Sequence, residues 1–327
     1  MPRARLRRTL LAGLVAAAVV FPVSAASSSP NTPSPEPVSF GAHTPPQARY
    51  AENLANLGEA ARMAQDAGRT RRAAKLRAMA AGTPGAPESG GPTPRFLAID
   101  GRGKGRAIEV FGDLDTADRV TVLVPGSDTT LDTYQRFRAG AVALQQRLQA
   151  EHARSAVVAW LGYDTPGTVS TTVLTTGRAD GAASELSPFL AWLGKVTPPE
   201  AHLSLLCHSY GSVVCARTGT GPKVTDVVLF GSPGTGAADA RALRTGARVW
   251  AGRGSADWIG RVPHVRVAGI GFGTDPVDPA FGARKFAAGS AGHSDYLKPG
   301  TASLDSLARI VLGTAAATTP AQEASHA

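Results

Sequence analysis

The stretch Leu205-Leu206-Cys207-His208-Ser209-Tyr210-Gly211-Ser212-Val213-Val214 decides how the rest of the chain is read. An apolar strand runs directly into Ser209, and a helical pattern begins just after it. A serine at so tight a strand–turn–helix corner is held exposed above a sheet in a strained conformation. The residues two before and two after it must be small, because strand and helix almost touch there. Gly211 meets that demand. Cys207 stands where a G-x-S-x-G pattern has its first glycine, and it is small enough for the place. An ordinary serine in a βα turn could carry the same five residues, so its surroundings must decide.

Outward from this corner the alternation of strand and helix is regular. Residues 96–99 and 107–110 read as paired strands around the turn Gly101-Arg102-Gly103-Lys104-Gly105. Residues 120–124 form a short, almost wholly apolar run ending in Pro125-Gly126, as a buried parallel strand does. A long helix is expected over 131–152, a buried strand over 156–161 and a helix around 182–193. Strands over 203–207, 224–230, 248–251 and 284–287 repeat the theme, with helices expected between most of them. Right-handed crossovers then make an α/β fold with a mostly parallel sheet. Such sheets hold their sites beyond the carboxyl ends of the strands.

An unactivated serine hydroxyl is a poor nucleophile and needs a base against it. Gly292-His293-Ser294-Asp295-Tyr296 follows the last expected strand and precedes the final helix, which makes His293 the base. His208 adjoins Ser209 but should point away along the strand, a structural residue. The acid that orients the imidazole is expected to be Asp257, after the strand before the last. Asp275 and Asp278 are its rivals, and each also serves as a turn former before proline. The backbone amides of Tyr210, which opens a helix, and of Ser127, after the 120–124 strand, are expected to face a developing oxyanion. Gly126 would let that backbone come close. No His/Glu pair has zinc-protease spacing, so neither metal nor cofactor is inferred.

The outer parts of the chain speak of place rather than chemistry. Arg3, Arg5, Arg7 and Arg8 precede an apolar run over 10–20; Phe21-Pro22 breaks it, and Val23-Ser24-Ala25 offers a signal-peptidase site. Residues 1–25 are therefore expected to be a signal peptide and the mature protein to be secreted; Arg7-Arg8 also loosely matches a twin-arginine signal. No later segment is apolar for long enough to span a membrane. By composition, 26–46 is a disordered or extended leader, 47–81 a helical segment broken at Gly68, 82–94 a linker, 95–313 the catalytic domain and 314–327 a disordered tail. The net charge of +9 falls to +5 without the four leader arginines. No zinc-finger spacing or aromatic-studded basic strand accompanies it, so no nucleic-acid partner is expected. Export permits a disulfide between Cys207 and Cys215. Two strand residues and four or five helical ones both descend about 6 to 7.5 Å, so the levels match. That leaves a bridge and two buried thiols equally open.

Residues 95–312 resemble an actinobacterial branch of the α/β-hydrolase family, many of whose members have no assigned substrate. The resemblance rests on Phe96-Leu97-Ala98-Ile99-Asp100, Val122-Leu123-Val124-Pro125-Gly126, Val158-Ala159-Trp160-Leu161-Gly162-Tyr163, His208-Ser209-Tyr210-Gly211-Ser212, Phe230-Gly231-Ser232-Pro233, Asp257-Trp258-Ile259 and Gly292-His293-Ser294. It implies a Ser–Asp–His hydrolase on an α/β-hydrolase fold. Cleavage of a small-molecule or lipid ester through an acyl-enzyme on Ser209 is the expected activity. A peptidase or amidase would use the same residues, and a catalytically silent binding module would keep only the fold.

Overall fold

The strand-period runs from residue 95 onward assemble into one eight-stranded sheet in the computed structural model, which describes residues 32–41, 44–82, 93–267 and 269–315. The strands are β1 (Arg95–Asp100), β2 (Arg106–Gly112), β3 (Arg119–Val124), β4 (Ser155–Leu161), β5 (His202–His208), β6 (Val224–Phe230), β7 (Arg248–Gly252) and β8 (Arg284–Lys285). Their order is β1-β2-β4-β3-β5-β6-β7-β8. β2 runs antiparallel to β1 and β4, and every pair from β4 to β8 is parallel. The expected signal peptide and most of the expected linker and tail lie outside the described residues.

Helices cover both faces. They are α1 (Pro46–Asp66), α2 (Thr70–Ala81), α3 (Tyr134–Gln149), α4 (Gly177–Val196), α5 (Gly211–Arg217) and α6 (Ala302–Leu312). Successive strand side chains point to opposite faces. Val122, Val124, Leu205 and Cys207 therefore pack with α4 and α5, while Leu123 and Leu206 pack with α3 and α6. Parallel strands buried on both faces account for the nearly continuous apolar runs of β3, β4 and β5, broken inside only by Thr121 and Ser204.

Two expectations need correction. Among the described residues no α-helix links β6 to β7 or β7 to β8; short 3-10 turns at Ala240–Ala242, Trp258–Arg261 and Pro279–Phe281 stand there instead. Gly231, Gly234, Gly236, Gly271 and Gly273 take left-handed conformations in these connections, and Pro233 and Pro276 add further breaks, so helix cannot propagate. The helix expected from residue 131 begins only at Tyr134. Before it, Thr133 donates from its hydroxyl to the Asp128 carbonyl and accepts from the Thr130 amide, which closes a loop.

The helical segment covers core rather than the mouth of the sheet. Leu57, Ala60, Ala64, Leu76 and Met79 pack on Phe96, Ile99, Ala107 and Leu161. The buried Arg72 guanidinium fixes it in place, donating to the carbonyls of Gly101 and Gly103 and pairing with Asp132 at 2.7 Å. A charge so buried is stable only when every N–H finds an acceptor. Residues 32–41, expected to be disordered or extended, run without regular structure alongside it, where the Glu36 carbonyl accepts from Asn56 and its carboxylate from Arg102.

Candidate active site

The corner at Ser209 is as tight as its sequence demands. Ser209 has φ of +54°, a left-handed conformation that costs a non-glycine residue about 1–2 kcal/mol. Its amide donates to the Phe230 carbonyl at 3.0 Å, which ties the turn to the end of β6. A Cβ on Gly211 would lie 2.7 Å from the Val124 carbonyl oxygen. A Cβ on Gly126 would lie 2.6 Å from Ser209 Cβ and 3.1 Å from its Oγ. The glycine after β3 therefore lets the 125–128 loop reach the serine itself.

At Cys207 a side chain is tolerated because it points into the core, away from that contact. It is joined to Cys215 across 6.4 Å between Cα atoms, and the bridge ties β5 to α5 on either side of the corner. In the chain-entropy account, closing so short a loop contributes about 2–3 kcal/mol.

His293 reaches the serine from the segment after β8. Ser209 Oγ lies 2.9 Å from His293 Nε2, and His293 Nδ1 lies 2.8 Å from Asp257 Oδ1. An ionised carboxylate only accepts, so Nδ1 carries the proton and Nε2 is free to accept from the serine hydroxyl. Asp257 is fully buried at the start of the Trp258–Arg261 turn, which it caps through the Ile259 amide at 2.9 Å. Burial pushes its pKa up, but hydrogen bonds from His293, Tyr296 and the Ile259 amide outweigh this and hold it below the usual carboxylate range. The rivals are engaged elsewhere. Asp275 pairs with Arg253, and Asp278 caps the Pro279–Phe281 turn through the Ala280 amide.

Three residues support the site: Tyr296 and Trp258, to which the sequence reading gave no role, and His208, which it read as structural. Tyr296 donates its hydroxyl to Asp257 Oδ2 at 2.6 Å and accepts from the Gly254 amide at 3.0 Å. It fixes the carboxylate from the side opposite the imidazole. The spacing of three from His293 was visible in the sequence, but nothing local shows that the hydroxyl turns inward. His208 does more than point away: its Nε2–H donates to the His293 carbonyl at 2.7 Å and holds the loop that carries the imidazole. Burial and the neighbouring His293 depress its pKa to about 4, so it stays neutral near pH 7. Trp258 lays its ring 4.6 Å from that of His293 while nearly half of it remains exposed. Tyr296→Phe should lower kcat about tenfold or more, the worth of a hydrogen bond to a charged group, and leave KM unchanged. Steady-state kinetics on a soluble ester check the split; a merely loosened fold would raise KM as well.

The amides of Tyr210 and Ser127 have no protein acceptor among the described residues. Ser127 is half-buried and follows directly on the glycine that touches Ser209.

A family model described as alpha/beta hydrolase matches residues 100–267, and the chain belongs to that family. Its eight-stranded, mostly parallel sheet flanked by helices, with the helical segment before it, is the alpha/beta-hydrolase fold. An uncharacterized protein of Mycobacterium tuberculosis is 32% identical over 261 residues, covering 68% of this chain and 40% of its own length. An uncharacterized protein of Mycobacterium bovis is 34% identical over 135 residues, covering 38% and 50%. The chain thus spans half or less of the length of these relatives. A solved esterase domain from a Rhodothermus marinus protein is 15% identical, covers 64% of this chain and 91% of that one, and superposes with a TM-score of 0.37.

Proposed function

We propose that the chain is a secreted serine hydrolase that cleaves carboxylic esters. The observation that carries this reading is the continuous relay from Ser209 Oγ through His293 to Asp257, at 2.9 and 2.8 Å, on a serine held in a strained turn. His293 Nε2 takes the hydroxyl proton as Ser209 Oγ bonds to the ester carbonyl carbon. The oxyanion that forms is stabilised by the amides of Tyr210 and Ser127. As the carbon–oxygen bond to the alcohol breaks, His293 returns the proton to the departing alkoxide. Water, deprotonated by His293, then attacks the acyl-enzyme; the acid leaves, and Ser209 Oγ regains its proton. Asp257 stays ionised and stabilises the imidazolium at each step.

Export rests on the basic, apolar and small-residue succession over residues 1–25. No described helix is long and apolar enough to cross a membrane. Labelling of the purified protein with a fluorophosphonate, beside p-nitrophenyl esters and anilides, tests the reaction class. Covalent labelling with ester turnover is expected; a folded protein that neither labels nor turns over any ester refutes the hydrolase reading.

A further inference from the structure

The large apolar side chains left exposed among the described residues all belong to two segments. Val169 and Leu174 lie in the loop after β4, and Trp258, Val262, Val265, Val267 and Ile270 lie in the loop after β7. Single exposed apolar residues are ordinary, but this many drawn together mark a surface that water does not normally cover.

The two loops meet over the candidate active site. Gly271 donates its amide to the Leu174 carbonyl at 2.9 Å. Beneath that junction the Tyr210 hydroxyl donates to the Thr175 carbonyl at 2.7 Å, and the Tyr210 ring packs edge-on to Phe272. Tyr210 is the residue after Ser209. On one side, the Thr168 amide donates to Asp128, next to Ser127. On the other, Trp258 lies against His293. The apolar residues therefore rim the opening above the serine. At its outer end the chain folds back between Val267 and Ile270, which are 68% and 55% exposed.

Charge selects what could cover such a rim. Arg261 and Arg266 are interleaved with the valines, are exposed, and have no acidic partner among the described residues; Arg266 makes one hydrogen bond, to the Gly236 carbonyl. The acids bordering the rim are engaged: Asp275 with Arg253, Asp180 with Arg217 and Asp128 with the Thr168 amide. Exposed valine and isoleucine, with arginines between them that no carboxylate neutralises among the described residues, suit an apolar layer beneath an anionic headgroup plane, where aliphatic groups insert and guanidinium groups stay at the surface.

We propose that this arginine-studded apolar rim seats the protein on an anionic lipid surface, so that the ester offered to Ser209 belongs to an acyl lipid held in that surface. The step rests on the hydrolase reading for its chemistry and on the rim alone for its binding. The two are tested apart. Binding is measured by flotation of the full chain carrying Ser209→Ala with phosphatidylglycerol/phosphatidylcholine vesicles and with phosphatidylcholine alone. Because both native cysteines are in the bridge, Val267→Cys in the same background accepts a single environment-sensitive dye.

Flotation with the anionic vesicles only is expected, with a blue shift of the dye and at least a tenfold loss of binding in the V267D/I270D double variant. Absence of binding, or binding that the double variant leaves intact, overturns the proposal. So does self-association without lipid that the double variant abolishes, since a second copy would then cover the rim. Wild-type turnover of p-nitrophenyl acetate in solution reports on the chemistry by itself. Acetate hydrolysis without vesicle binding refutes the lipid surface alone; vesicle binding through the rim without any ester turnover refutes the hydrolase reading and retains the surface.

Discussion

Ser209→Ala in the full chain is expected to lower kcat on a soluble p-nitrophenyl ester on the order of a millionfold, about 8 kcal/mol of barrier, with little change in the thermal unfolding midpoint. The size follows from what the hydroxyl does. It forms the bond to carbon in the first step and leaves in the second, and water standing in its place must be activated and oriented afresh. His293→Ala should cost as much, because without a base the hydroxyl is a poor nucleophile. The double variant should lose no more than either single one, since the two groups act as a unit. Burst kinetics and fluorophosphonate labelling give independent readings, and both should vanish in each variant. If Ser209→Ala retains a tenth of the wild-type rate, Ser209 is not the nucleophile. The fold should persist, because the substituted atom accepts no backbone hydrogen bond and the turn is held by the Ser209 amide, which alanine keeps.

The corner at Ser209 was legible because its constraints are local. Apolar residues into a serine, then a small residue two places on, specify the turn within five positions, and the contacts of Gly126 and Gly211 show why these two places admit no Cβ. The parallel strands were legible for a similar reason: a strand buried on both faces reads as a nearly continuous apolar stretch, and inside β3, β4 and β5 the only polar residues are the small Thr121 and Ser204. What failed to show in the sequence depends on long-range contact. The 3-10 connections after β6 and β7 read as room for helices, because glycine breaks are clear only once their left-handed conformations are seen. Tyr296 and His208 act through a carboxylate 39 residues away and a carbonyl 85 residues away, and no local pattern records such partners. Matching levels on strand and helix left the state of Cys207 and Cys215 open. The missing quantity was the 6.4 Å between their Cα atoms, which comes from the packing of α5 on β5. The apolar rim was hidden for the opposite reason: valines spread over two loops look like ordinary core until their exposure is known.

Asp257→Asn is the second large effect expected, about 10⁴-fold in kcat, from a change of one atom. Asp257 Oδ1 accepts from His293 Nδ1 at 2.8 Å and from the Ile259 amide at 2.9 Å, while Oδ2 accepts from the Tyr296 hydroxyl at 2.6 Å. An asparagine that presents its NH2 to Nδ1 reverses this bond. The imidazole then takes the other tautomer, with its proton on Nε2, and a protonated Nε2 cannot accept from Ser209. Substrate binding does not involve the carboxylate, so KM should change far less than kcat. The contrasting variant is Asp275→Asn, which removes the partner of Arg253 and should leave kcat within a few-fold of wild type while lowering stability. A reversal of the two results would move the acid to Asp275. The pH dependence of stability supplies a second check. The native pKa of Asp257 is lowered, so its ionisation stabilises the fold above the usual carboxylate range, and that contribution is lost as pH falls through the depressed value. Chemical denaturation of wild type and Asp257→Asn should therefore show a gap in stability at neutral pH that closes in acid, whereas a gap independent of pH would mean that the carboxylate is not held ionised by its three donors.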